Sequence, residues 1–390
     1  MEKANIGASL KKYTMIIALV VVVAFFFWRT DGTILYAQNI NNLLSQNAYV
    51  FVLAVGMLLC ILTGGNIDLA VGSVVCFVGA VGGTLMDKKV NVLVAVIVML
   101  LVGTLIGMWQ GFWIAYVNVP PFIATLAGMY AFRGLSNVIL QGLAIAIEDP
   151  KFINVFGGGA DCYVPDFLGN GGALNVTCIV AGIIGIIVYI VTFILGRLNI
   201  KKRGYESKPL AGELVKVVII SAVVMWMTYK LASYKGIPTS LLWVLLVVFV
   251  FGYITSKTRI GRYLYAVGGN KKAAQLSGIN VKRVFFFAYT NMGLLAALAG
   301  ILTIARATSA QPTYGQGYEM DAIGSCFIGG ASAYGGIGTV PGVIVGALLM
   351  GVINQGMSIM GINANYQKVV KGVVLLLAVI FDVLSKKEKK

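Results

Sequence analysis

Residues 50–86 read VFVLAVGMLLCILTGGNIDLAVGSVVCFVGAVGGTLM, two apolar runs joined by the polar stretch GGNIDLAVGS at 64–73. Without that stretch, the segment would be one uninterrupted apolar helix. The glycines permit backbone that a helix forbids, and Asn66 or Asp68 can cap the helix that follows by accepting hydrogen bonds from its first N–H groups. A helix broken at membrane depth is tolerated only inside protein or beside water. An aspartate at the bilayer centre costs roughly 2.5 to 3.5 kcal/mol on insertion scales, which places Asp68 near an interface or facing a polar cavity. A structural cap and a polar lining group of a solute path are both open, and the two can coexist.

Working outward, similar runs recur along the 390 residues, of which 59% are hydrophobic and 11% charged, against roughly 25% charged in soluble domains. About twelve apolar segments are legible, near 13–28, 47–63, 68–86, 91–117, 120–141, 174–195, 214–234, 238–256, 284–305, 320–339, 340–360 and 366–384. Hydrocarbon offers backbone groups no partner, and these runs are too long and too uniformly apolar for barrel strands, so spans must be helical. The fold class is therefore all-α, a polytopic integral membrane protein of about 10–12 transmembrane helices, some broken, forming one transmembrane domain over 1–390. Two stretches resemble each other, LTGGNIDLAVGSVVCFVGAVGGTLM at 62–86 and FIGGASAYGGIGTVPGVIVGALLMG at 327–351. Both open near a Gly-Gly pair and continue into a small-residue helix, which suggests an internal duplication of the kind transporters use.

Charge orients the chain. Lys and Arg number 30 against 14 Asp and Glu. In a membrane protein such an excess collects in cytoplasmic loops beside anionic lipid. Lys3, Lys11 and Lys12, then RLNIKKRGYESK, then SKTRIGRY through NVKR, and finally KKEKK all fall on one side when twelve spans are counted. Both termini and both basic loops are thus expected in the cytoplasm, and lipid is an expected partner; Lys88 and Lys89, next to Asp87, are the exception. The first apolar run lacks a small-residue cleavage site and reads as a retained span rather than a signal peptide. The stretch 147–172 is acidic relative to the basic loops and rich in Gly, an external connector or part of a docking surface.

Several chemistries are disfavoured. No nucleic-acid-binding motif accompanies the basic residues. The chain has no His and no CxxC pair, and of its five cysteines Cys60, Cys76, Cys178 and Cys326 lie in apolar segments while Cys162 lies in a polar loop. Neither a disulfide framework nor a metal site is expected. There is no GxxxxGK[ST] phosphate loop and no Ser/His or Cys/His pair, so neither an ATP site nor catalysis is expected in this chain.

Polar residues in or beside apolar segments remain. ARATSAQPTYGQGYEMDAIG at 305–324 holds Gln311, Tyr314, Glu319 and Asp321, with Pro312 and several glycines to stop a helix. Amide and carboxylate groups bond solute hydroxyls, and an aromatic ring covers the apolar face of a sugar. Glu319 and Asp321 equally suit the first turn of a helix. Asn66, Asp68, Gln311, Tyr314 and Glu319 are the candidate path-lining residues. Arg133, Lys368, Lys371 and Asp382 read as side chains snorkelling to a headgroup region.

The loop from Ser256 to Arg283 is long and basic. GGNKKAAQLSGIN within it offers a Gly-Gly entry, a short helix-forming stretch from about Lys271 to Ser277, and Gly278 as its stop. Ala273, Ala274 and Ser277 let a partner's surface approach closely; an ordinary helix lying on headgroups is the plainer reading.

GRYLYAVGGNKKAAQLSGINVKR at 261–283 resembles the cytoplasmic coupling-loop signature of the sugar permeases of ATP-binding-cassette importers, the ribose and xylose type within the branched-chain permease superfamily. GGNIDLAVGS, PPFIATLAGM with FRGLS, and SAQPTYGQGYEMDAIGSCFIGGAS are similar to that family's other recurrent segments, in the same order. Residues 196–235 add a basic loop and an apolar span beyond the usual core, as in the longer permeases for xylose, arabinose, glucose or galactose. The resemblance implies a homodimeric pore in a bacterial cytoplasmic membrane, a cytoplasmic ATPase that uses the ATP, and an extracytoplasmic sugar-binding protein. It implies coupling positions at Gly268, Gly269, Asn270, Ala273, Ala274, Gln275 and Gly278 within the loop 256–283. An ion-coupled secondary transporter, or a permease of the same type for an amino acid, is the alternative; the docking-like loop disfavours the former.

Overall fold

Left-handed glycines set the architecture of this computed structural model, which describes residues 6–157, 162–169, 172–202 and 210–387. Lys3, the stretches 158–161 and 170–171, the centre of the basic loop at 203–209 and the terminal 388–390 lie outside the described residues, as do the side chains of Lys11 and Lys12. Sixteen helices occur among the described residues. In order they are α1 (Ile6–Arg29), α2 (Ala37–Gln46), α3 (Ala48–Leu62), α4 (Val71–Asp87), α5 (Val92–Ala115), α6 (Pro121–Leu140), α7 (Pro150–Phe156) and α8 (Val176–Lys202). Then follow α9 (Leu210–Ala232), α10 (Thr239–Lys257), α11 (Arg259–Gly269), α12 (Lys271–Leu276), α13 (Val281–Ala307), α14 (Tyr318–Ile328), α15 (Val340–Ile359) and α16 (Ala364–Lys387). Two short strands, β1 (Ile145–Ala146) and β2 (Ser309–Ala310), pair antiparallel and tie the loop after α6 to the end of α13.

Seven helices are long and apolar enough to cross a membrane, and α2 with α3, bent by 44°, makes an eighth. The bend falls at Asn47, whose side chain donates to the carbonyl of Leu43 (2.9 Å) and accepts from Asn354 of α15 (3.2 Å). The apolar run at 50–86 does break at the polar stretch: Gly64 and Gly65 take positive φ, and helix resumes at Val71. The expected spans at 13–28 and 68–86 are the shorter apolar helices Thr14–Arg29 and Val71–Asp87, and a third is corrected outright. The segment 320–339 is helical only through Ile328, so α14 has 11 residues, about 16 Å at 1.5 Å per residue and half a hydrocarbon core. Gly330, Gly335, Gly336 and Gly338 all take positive φ, which no helix accommodates.

The core is built around α13, which packs on α5, α3 and α4. Its seam with α5 is a spacing of small residues, Gly103 and Gly107 against Gly293 and Ala297, with Gly111 against Phe286. A methyl on Gly103 would lie 2.7 Å from the carbonyl oxygen of Gly293, and one on Gly107 would lie 2.9 Å from that of Thr290. Close backbone approach of this kind replaces the hydrophobic driving force that helices lack in lipid. By contrast α8 and α9 form a peripheral hairpin, packed on each other with α9 touching α2. At the end of the bundle where β1 and β2 meet, Asp166 accepts from the hydroxyl (2.7 Å) and the N–H (2.9 Å) of Thr177. These bonds hold its carboxyl down at about 2.

Candidate functional site: a coupling knob and a tyrosine-lined cavity

At one end of the bundle α11 ends against two glycine turns at once. A methyl on Gly268 would strike the carbonyl oxygen of Leu62 at the end of α3, and would lie 2.5 Å from the nitrogen of Gly336 in the turn that follows α14. Those two turns are bonded to each other, since the Gly336 N–H donates to the Leu62 carbonyl at 3.1 Å. Tyr265 of α11 donates its hydroxyl to Gly338 at 2.8 Å. Three backbones therefore meet without an intervening side chain.

From this junction α12 projects. Asn270 caps it, its side-chain oxygen accepting from the N–H of Ala273 (2.9 Å). Gly278, at φ 82°, stops it, with the N–H of Gly278 and Ile279 donating back to Gln275 and Ala274. Ala274 is buried and faces its own protein, whereas Ala273, Gln275 and Ser277 are exposed. Leu276 is 90% exposed at the tip. Lys271 lies over the Phe285 ring at 5.2 Å, which fastens the knob to the second turn of α13.

Asn66 and Asp68 sit between this junction and the middle of the bundle. Asn66 donates to the hydroxyl of Thr63 within its own turn (3.1 Å). Asp68 is buried, accepts from the N–H of Ala70 (2.8 Å), and its own N–H meets the sulfur of Met57, five residues before the end of α3. The chain thus turns back into the bundle, but α4 begins without a side-chain cap: Asp68 bonds the N–H of Ala70 just before the helix, and neither Asn66 nor Asp68 accepts from the helix's own first N–H groups as expected.

The opposite half holds a cavity of about 270 Å³ between the end of α2, the start of α3, the end of α13 and residues 314–318. Gln46, Tyr49, Thr303, Arg306, Tyr314 and Tyr318 are among its walls. Tyr49 and Tyr318 stack with ring centroids 3.7 Å apart. The hydroxyls of Tyr314 and Ser309 are 2.9 Å apart, and Gln311 donates to the same serine at 3.3 Å. Arg133 of α6 holds this irregular segment by donating to the carbonyls of Tyr314 (2.6 Å) and Pro312 (3.1 Å). Tyr314 therefore lines the cavity and Gln311 stands two hydrogen bonds behind it, through Ser309, while Glu319 lies beside Gly72 of α4. Asn66 and Asp68 are not brought to this cavity.

Two features escape a reading of the residues one segment at a time. Lys371 of α16 does not snorkel: its Nζ straddles the carboxylate of Asp321 in α14 at 2.9 and 3.0 Å, and Tyr49 donates to the same carboxylate at 2.8 Å. Asp382 likewise turns inward, accepting from the N–H of Ala333 at 3.1 Å. The signal was present, since opposite charges on two apolar segments are expected to find each other inside a membrane protein. The second feature is the seam Gly103, Gly107, Gly111, a GxxxG repeat visible in the sequence.

The family model described as branched-chain amino acid transport system / permease component matches residues 39–161 and 167–379. The chain is 37% identical over 387 residues to the xylose transport system permease protein of Haemophilus influenzae, covering 98% of each. It is 35% identical over 381 residues to the Escherichia coli protein of the same name, covering 97% of this chain and 93% of that one. With the ribose import permease protein of Escherichia coli it shares 35% over 376 residues, 96% and 94% of the two chains. No solved structure matches it.

Proposed function

This chain belongs to the branched-chain amino acid transport system / permease component family, as the permease subunit of a monosaccharide importer of the ATP-binding-cassette type, and from that premise we propose how it is driven. A separate ATPase grips α12, and its strokes reach the pore through α11. The supporting observation is the three-backbone junction of Gly268, Leu62 and Gly336: a shift of α11 is delivered to both glycine turns without a compressible side chain between. Gly269, Asn270 and Gly278 shape the knob, Ala274 seats it, and Ala273 and Gln275 with Leu276 present it to the ATPase.

On this reading ATP is bound and hydrolysed by the partner alone, and the knob, both termini and the basic loops lie in the cytoplasm of a bacterium. A sugar-binding protein delivers solute to the opposite face, past the loop held by Asp166. A second copy of the chain completes the pore, with lipid covering the exposed apolar faces. The stretch 196–235 is an addition outside the transporting core, in keeping with the peripheral place of the α8–α9 hairpin. Gln311 and Tyr314 border the solute path, Glu319 stands behind it, and Asn66 and Asp68 shape the turn below it.

Leu276→Asp tests the docking role, because Leu276 has almost no internal contact to lose. In proteoliposomes with the ATPase and binding protein, the variant is expected to reach the membrane at normal level yet lose co-purification with the ATPase and ATP-driven xylose uptake. Ala274→Arg, which pushes the knob off its seat, is expected to do the same. Normal uptake by Leu276→Asp overturns the docking role.

A further inference from the structure

We propose that the tyrosine-lined cavity is a binding station for one sugar ring, with Arg306 as its principal hydrogen-bond donor; this rests on the importer reading above. The cavity, at about 270 Å³, is many times the roughly 10–15 Å³ that one water needs, so a small solute such as a sugar ring fits within it. Its walls divide as a sugar does. Tyr49, Tyr314 and Tyr318 supply aromatic surface for the C–H faces of a ring. Gln46 supplies an amide for its oxygens, and Ser45 and Thr303, whose hydroxyls donate to the carbonyls of Asn42 (3.4 Å) and Ala299 (2.7 Å), supply acceptors for its hydroxyls.

Arg306 is the one charged side chain among the lining residues, and its Nε is buried with no hydrogen-bond partner among the described residues. A buried donor left unmade is costly, so an incoming acceptor is favoured there. A guanidinium presents parallel N–H groups, which suit two vicinal hydroxyl oxygens of a sugar. No lining carboxylate competes for it, and Asp321, behind the Tyr49–Tyr318 stack, is already held by Lys371 and by the Tyr49 hydroxyl. Lys371 is thus a positioning residue, fixing the acid that fixes Tyr49.

The experiment uses the complete complex in proteoliposomes, with Ser45→Cys as a reporter at the cavity wall; the five native cysteines are buried. The rate of maleimide labelling at this position is followed while D-xylose or D-ribose is supplied with the binding protein. Sugar is expected to slow labelling, and Arg306→Gln to remove the protection, since losing a charge-assisted hydrogen bond lowers occupancy roughly tenfold or more. Arg306→Lys keeps part of it. Gln46→Trp, at an exposed position that fills the cavity mouth, is expected to block labelling and uptake alike, and supplies the answer should Arg306→Gln fail to assemble. Unchanged protection in Arg306→Gln, or normal uptake in Gln46→Trp, overturns the proposal. Sugar-stimulated ATP hydrolysis is recorded in parallel: if it is present without protection, the cavity assignment alone fails, and if it is absent the importer reading fails first.

Discussion

At Asp321 and Lys371 the balance of burial against pairing decides what a substitution does. The Asp321 side chain is 1% exposed and Lys371 17%, so each charge depends on the other. Removing one partner of a buried pair costs roughly 3–5 kcal/mol because the remaining charge is stranded, whereas removing both is often nearly neutral. Lys371→Met is therefore expected to lower the midpoint of thermal unfolding in detergent, and Asp321→Asn with Lys371→Met to recover most of it; equal loss in single and double variants sinks the pairing account. Sequence made Asp321 a dipole-favouring residue in a helix's first turn, and it does begin α14. What single-segment reading missed is that α16 returns beside α14, fifty residues on. Gly278 was legible as the stop of the short helix, because a left-handed stop acts within a few residues, whereas the cap made by Asn270 was read only from the structure.

Helices show the same division between local and long-range signals. Apolar runs mark nearly every membrane helix here, since period and length are local properties, but α14 was overestimated because the apolar stretch continues through glycines that abandon the helix at Gly329. Partnership between helices is less legible, and the α5–α13 seam shows why. Gly103, Gly107 and Gly111 form a pattern, yet only the partner's Gly293 and Ala297 give it meaning. Gly107→Leu is expected to force the helices apart and cost roughly 1–3 kcal/mol of overpacking, read as a lower unfolding midpoint. Gly134→Leu on α6, where nothing lies within 4 Å of an added methyl, is the matched control and is expected to leave the midpoint unchanged. Equal effects would mean that leucine at either site acts through lipid contact rather than through the seam.

Across the whole molecule, the placement of charge separates a motor-driven permease from a carrier that exploits an ion gradient. One charge moving through 100 mV yields about 2.3 kcal/mol, so energy alone does not exclude a carrier. A carrier of that kind needs an acidic group that takes up the ion on one face and releases it on the other. Among the described residues the fully buried acids are Asp68 and Asp321, and Asp321 is occupied by Lys371 and Tyr49. Asp68 is bonded to the N–H of Ala70, two residues along its own chain, and lies at a turn the α11 junction braces. Both are committed to structure, and on the coupling proposed above motion enters instead at the exposed knob, whose Leu276 is 90% exposed. Proteoliposomes holding this chain alone are accordingly expected to show no concentrative uptake of xylose or ribose under a proton or sodium gradient, and to gain it only when the ATPase, binding protein and ATP are added. Accumulation by the chain alone would require one of those carboxylates to leave its partners or the part-buried Glu319 to take up the ion, and Asp68→Asn, Asp321→Asn and Glu319→Gln would then identify which.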